Sequence, residues 1–421
     1  MKTRVMQLSL FFMVISSLVH VLSAQSPYGF RGPTRNGIYP ETGLMKTWPA
    51  DGPQLVWETM DAGKGYSSPL IVGDRLYLTG LNENEDREIF SAYSLDGKKI
   101  YEIVYGSQWS GPYPDTRTTP MIVGDKAYVI SGMGEVVCIN IANGNIIWRV
   151  EGAELGRKTG TWGISECPLV FDNKVIFSPG GDQTTMVALN AETGAIVWKS
   201  KSLNDISNYA SPILITHNGK KQIVSLTGKY IIGVNPDNGN IEWTFDEWGQ
   251  NAVARGWEKI SPNAAIYKDG RIFVSNGYDI GAVMLTLNND LTSVSVAWRN
   301  DDLDTHHGSY VLVDGTIYGS NWLNNNSGNW LAVDWNTGTT KYNEAWDSNG
   351  KGSIIYADGM LYAYDERRGT VGLVKPASDK WDVVSSFRIT KGEGPHWAHP
   401  VLNNGVLYIR HGNALMAYKV K

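Results

Sequence analysis

The chain repeats one unit eight times, and this repetition constrains its fold more than any other feature. The unit is plainest in "TTPMIVGDKAYVISGMGEVVCINIANGNIIW" at 118–148, "ECPLVFDNKVIFSPGGDQTTMVALNAETGAIVW" at 166–198 and "ASPILITHNGKKQIVSLTGKYIIGVNPDNGNIEW" at 210–243. Each copy holds four short apolar runs divided by Gly, Asn or Asp turns, the pattern of a four-stranded antiparallel meander. Aligned on the start of the first run, the copies fall at Pro69, Pro120, Pro168, Pro212, Pro262, Tyr310, Ile354 and Pro400, at intervals of 51, 48, 44, 50, 48, 44 and 46 residues.

The eighth copy, "HPVLNNGVLYIRHGNALMAYKV", has only three runs, and "QLVWET" at 54–59 stands before the first full copy. A strand from the front of the chain that completes the last sheet would close a ring and remove two free edges. The expected fold is therefore all-β, an eight-bladed β-propeller of four-stranded antiparallel blades closed by an N-terminal strand. Composition agrees: only 19% of residues are charged, while the chain holds 46 Gly, 16 Trp and 21 Tyr, a mixture suited to short strands and tight turns.

Lys2 and Arg4 precede the apolar run "LSLFFMVISSLVHVL", and Leu22-Ser23-Ala24 offers small residues for cleavage, so residues 1–24 read as a signal peptide. The run is short and interrupted by Ser16, Ser17 and His20, which argues against a membrane span. Residues 25–53 read as a lead-in strap and 54–421 as the propeller. The expected mature protein is an exported monomer, periplasmic or secreted. The net charge of −5 and pI near 5.8 argue against nucleic acid as a partner. Cys138 and Cys167 sit in strand-like runs and read as buried thiols. A disulfide between them stays open at this stage.

"NIANGNIIW", "NAETGAIVW" and "NPDNGNIEW" resemble the PQQ-like, quinoprotein-type propeller repeat. The resemblance implies that Trp148, Trp198 and Trp243 pack between adjacent blades and that the Gly makes the preceding turn. "DWNTGTTKY" and "SLDGKKIY" match with Tyr in place of Trp. The lead-in "YGFRGPTRNGIYPETGLMKTWP" is also similar to the segment before the first blade of exported members. The resemblance covers about residues 27–421 and speaks to fold far more than to activity. Quinoprotein alcohol dehydrogenases carry adjacent paired cysteines over their cofactor, which this chain lacks, so bound PQQ is not expected. Outer-membrane assembly lipoproteins are the other relatives the resemblance implies, and no lipid-attachment cysteine follows the apolar run.

A propeller binds at the mouth of its channel, where the loops leading into the innermost strands converge. Three residues before each aligned strand start stand Tyr66, Arg117, Ser165, Tyr209, Lys259, His307, Lys351 and Trp397. Trp162, Glu166, Trp257, Glu258, His306, His396 and His399 lie close by in sequence. Six of the seven histidines follow residue 24, and four of those six fall in two of these loops.

Aromatic faces suit sugar rings, and Arg or Lys pairs with a carboxylate. His and Tyr can carry protons. The mixture fits β-elimination on a uronic acid, by a lyase or a dehydratase. His307, His306, His399 and Tyr209 would then carry protons, with Arg117 and Lys259 on the acid group. Tyr66, Trp162, Glu166, Trp257, Lys351, His396 and Trp397 would bind the remainder of an anionic oligosaccharide. A glycosidase needs two carboxylates across the bond, and only Glu166 and Glu258 stand near the ring. A divalent metal held by His306, His307, His396 or His399 with Glu166 is a further option. Adjacent histidines on a strand point to opposite faces, so His306 and His307 are not expected to share an ion. The turns "GSNWLNNNSGNW" at 319–330 and "AYDERRG" at 363–369 should lie on the same rim. The alternative to the lyase is a non-catalytic binding or assembly propeller using the same rim, and the third reading is a quinoprotein-like dehydrogenase.

Overall fold

Strand alternation and glycine turns build a ring of eight sheets in a computed structural model that describes residues 28–246 and 260–421. The proposed signal segment lies outside the described residues. The first blade comprises strands Leu70–Val72, Arg75–Leu81, Arg87–Ser94 and Lys99–Ser107. Blades two to seven repeat this meander, with innermost strands at Met121–Val123, Leu169–Phe171, Ile213–His217, Ile266–Lys268, Tyr310–Val313 and Gly352–Ala357. In the eighth, Val401–Asn403, Val406–His411 and Ala414–Lys419 are joined by Gln54–Thr59, which pairs antiparallel with Ala414–Lys419. The expected ring closure is thus present. Only a single 3-10 turn, Gly152–Leu155, interrupts the β-structure among the described residues, and none of their helices is long and apolar enough to cross a membrane.

The cores lie between neighbouring blades. Tyr128, Ile130, Val136 and Cys138 of the second blade pack with Val175, Phe177, Val187 and Leu189 of the third, each large aliphatic or aromatic side chain contributing about 2 kcal/mol on burial. Every blade shows a register shift between its third and outermost strands. Such a bulge re-aims one side chain, the repeat Trp or Tyr in every blade but the seventh, where Ser385 takes its place. Trp148 Nε1 donates to Ala191 O of the next blade at 2.9 Å, Trp198 Nε1 to Pro236 O at 3.0 Å, and Trp298 Nε1 to Trp335 O at 3.2 Å. Across the closing junction Trp57 Nε1 donates to Leu95 O at 2.7 Å. The turn glycine meets this ring. Gly239 has φ of 77°, and a Cβ there would stand 2.5 Å from Cε3 of Trp198. It therefore serves both the left-handed turn and the close approach.

The strap runs across the channel. Tyr28 bridges to Ile122 of the second blade, and Ile38–Tyr39 adds a parallel strand to Gly352–Ala357 of the seventh. Between them Arg31, 2% exposed, donates to Tyr310 O at 2.6 Å, Ile354 O at 3.2 Å and His399 Nδ1 at 3.0 Å. Arg35 donates to Cys167 O and Pro212 O at 2.9 and 3.0 Å. Two side chains thus reach five blades. Arg410, fully buried, ties the eighth blade to the first through Ser67 Oγ, Thr79 O and Gly63 O at 2.6, 2.8 and 2.8 Å. Cys138 and Cys167 are both free buried thiols, which answers the open disulfide question.

Candidate functional site

The loops leading into the innermost strands converge on a cavity of about 450 Å³ whose lining draws on all eight blades and the strap. Tyr66, Arg117, Ser165, Tyr209, His307 and Trp397 of the expected ring line it, together with Trp162, His306 and His399. Trp257, Glu258 and Lys259 lie outside the described residues. Lys351 is buried behind the wall, with its ammonium on Glu366 Oε1.

Two expected members stand elsewhere. Glu166 faces away from the cavity, accepts from Ser178 N at 3.1 Å, and is pushed up to about 8 by burial. His396 stacks on His411 with ring centroids 3.5 Å apart and bonds Tyr364 Oη through Nδ1 at 2.6 Å. In six of the eight blades the residue three before the strand start lines the channel, but a neighbour in the same loop can turn into a blade interface, as these two do.

Phe30, Tyr113, Tyr278, Asn325, Asn326 and Glu366 also line the cavity and were not singled out from sequence. Asn325, Asn326 and Glu366 lie in the two turns expected on the rim. Phe30 belongs to the strap and packs edge-on against His399 at 4.9 Å.

The wall is largely aromatic. Trp397 stands at the hub, with ring centroids 4.9 Å from Tyr66, 5.0 Å from Tyr113 and 4.9 Å from His307. Most polar groups have protein partners. Tyr66 Oη donates to Asp115 at 2.6 Å, which with burial keeps the phenol protonated well above its ordinary range. Arg117 donates to the carbonyls of Trp162, Tyr113 and Pro112. His399 accepts from Arg31 through Nδ1, because guanidinium cannot accept, and so donates Nε2–H to His307 O at 3.1 Å. Burial, reinforced by Arg31, lowers this imidazole to about 3. His399 thus braces the His307 carbonyl from the neutral side of its titration.

Glu366 is the carboxylate at the centre. Burial opposes its ionisation, but contact with His306 and the full charge of the Lys351 ammonium hold the carboxyl below its usual range. Burial disfavours charge on both imidazoles, and His306 lowers His307 further. His306 and His307 do not point apart: their ring centroids are 3.4 Å apart. Residues 304–309 form a loop before the strand, so strand alternation does not govern them. Their Nδ1 atoms and the Glu366 carboxylate form a group within 4.8 Å, replacing the metal set expected around Glu166.

A calcium-held quinone asks for several oxygen donors on the ion and free cations for its acid groups. Among the described lining residues the one carboxylate, Glu366, is bound to Lys351, and Arg117 is tied to carbonyls. Among the described residues the donor set does not fit that cofactor.

The family model described as "Outer membrane protein assembly factor BamB" matches residues 40–161 and 151–382. The BamB of Legionella pneumophila is 29% identical over 145 residues, 33% of each chain. An uncharacterised protein of Rickettsia conorii is 24% identical over 338 residues, 72% of this chain and 73% of its own. Among solved structures, BamB from Moraxella catarrhalis superposes with a TM-score of 0.62 at 13% identity, covering 87% of this chain and 99% of that one. The quinohemoprotein alcohol dehydrogenase of Comamonas testosteroni gives 0.64 at 14%, covering 92% and 79%. At such identities these two speak to the fold alone.

The family match overturns the expected uronate lyase or dehydratase, and with it the anionic oligosaccharide as partner. Among the described residues neither Arg117 nor Lys351 is at liberty to neutralise a substrate carboxylate, and Lys259, the other cation expected on the acid group, lies outside them. With its match running from the strap to the seventh blade, the chain belongs to the BamB family of PQQ-like propellers.

Proposed function

We propose that this chain is an exported, non-catalytic propeller of the outer-membrane assembly type that binds polypeptide at its channel mouth. The observation that carries the reading is the family match over residues 40–161 and 151–382, to which relatives named as assembly factors add. The mouth suits such a role. Its aromatic cup of Tyr66, Tyr113, Trp162, Tyr209 and Trp397 offers rigid apolar faces to one or two side chains of a partner. Among the described residues, Arg117 is tied to carbonyls and Lys351 to Glu366, so binding there would rest on stacking and shape more than on charge.

The test is a strain lacking the chain, in which the abundance of outer-membrane β-barrel proteins is measured. A fall restored by the wild-type chain is expected, and unchanged abundance overturns the assembly role. A photo-crosslinking residue at Tyr113, 49% exposed, should trap polypeptide. A label transferred only to glycan would return the mouth to sugar chemistry.

A further inference from the structure

We propose that His306, His307 and Glu366 form a binding site for a single divalent transition-metal ion of the zinc class, opening into the channel mouth. The donors stand where such an ion needs them. His306 Nδ1 and His307 Nδ1 lie 3.5 and 3.7 Å from Glu366 Oε2, too far for good hydrogen bonds. Donors at about 2.0–2.1 Å from a tetrahedral zinc ion are separated by about 3.4 Å, which matches this spacing.

A second observation points the same way. Both Nδ1 atoms are buried without a hydrogen-bond partner, and His306 as a whole is only 6% exposed. Buried polar nitrogens normally find partners. Both face the same carboxylate oxygen at distances beyond a good hydrogen bond.

The surroundings hold the three ligands in place. His306 Nε2 meets Tyr278 Oη at 2.9 Å; if that nitrogen carries the proton, the lone pair is left on Nδ1. Such a bond on the far nitrogen is the usual support for a metal-bound imidazole. Lys351 occupies Glu366 Oε1, leaving Oε2 toward the imidazoles. The loop is clamped from the fifth blade, where Asn263 Nδ2 donates to Thr305 O and His306 O at 2.9 and 2.8 Å and Asn263 Oδ1 accepts from Ser309 N at 3.1 Å. His399 holds His307 O from the other side.

Two imidazoles and one carboxylate favour zinc, cobalt, nickel or iron(II) over calcium or magnesium, which prefer oxygen. Three protein ligands leave an open position. That position faces the cavity beside Trp397 and Asn325, where water or a donor from a bound polypeptide would complete the shell.

The experiment uses the mature chain, dialysed against a chelator and then titrated with cobalt(II), followed by visible absorption, and separately with zinc by calorimetry. One ion per chain is expected, with ligand-field bands that shift as zinc displaces cobalt. His307→Gln and Glu366→Gln should each weaken uptake more than about tenfold, and Tyr278→Phe by about 10–100-fold. His217→Gln, in the fourth blade, should leave it unchanged. Should Glu366→Gln misfold by circular dichroism, His307→Gln, at a half-exposed position, carries the test. No uptake by the wild type, or uptake that survives His307→Gln, overturns the site. The readout needs no partner protein, so it stands or falls apart from the assembly role.

Discussion

The perimeter and the channel of this propeller both join neighbouring blades, but by different means. At the perimeter one device recurs: a bulge turns Trp148, Trp198 or Trp298 onto the turn of the next blade, where it donates to a carbonyl over a glycine. In the channel each joint is made once. Arg31 and Arg35 reach five blades from the strap, and Arg410 locks the eighth blade to the first. A repeated joint can be lost in one copy while the others persist. A joint made once has no substitute.

Arg31→Ala should therefore do the most damage. It leaves the buried oxygens of Tyr310 and Ile354 and His399 Nδ1 without their donor, at about 4 kcal/mol in all, read as a lower midpoint in urea. Trp198→Ala removes one staple and should cost about 3 kcal/mol. If Trp198→Ala proves the more damaging, the perimeter is the tighter seam and the comparison reverses.

Acid sharpens it further, because buried neutral imidazoles sit in the channel and its walls. His399 and His396 are lowered by burial to about 3, whereas in the unfolded chain they titrate near about 6.5. The unfolded state therefore takes up protons first, so stability is full above about pH 6.5 and falls as pH drops toward 3. Melting temperature measured across that window should show the slope, and His399→Gln should flatten part of it while Trp198→Ala leaves it unchanged. The smallest effect belongs to Trp397→Ala. Half-buried at the mouth, it should change stability by less than about 1 kcal/mol while weakening capture of polypeptide at Tyr113.

The same division decides what could be read from sequence. Blade count, ring closure by residues 54–59 and the role of Trp148 or Trp198 are periodic demands, written several times over. The ring at Tyr66, Arg117, Tyr209 and His307 was legible because propeller geometry brings the same loop of every blade together. Glu366 was not, because it follows a second strand instead of preceding a first, and "DERRG" looks like any solvated turn. Phe30 and Arg31 have no repeat counterpart. Two arginines among glycines and a proline in "GFRGPTRNG" were the available signal, and only the closed channel shows what they cross. The paired histidines were misread because a strand rule was applied to a loop.

The closing strand carries one consequence for biogenesis. Gln54–Thr59 pairs with Ala414–Lys419, and the strap reaches carbonyls as far along as Ile354. A chain emerging from its N-terminus can build blades one to seven in order, but Gln54–Thr59 must wait, unpaired, for Ala414–Lys419 to arrive. The final step of maturation is thus a long-range capture, slow in the way of non-local β-pairing. Until it happens the arc exposes two sheet edges, and loss of the C-terminal strand would leave it permanently open.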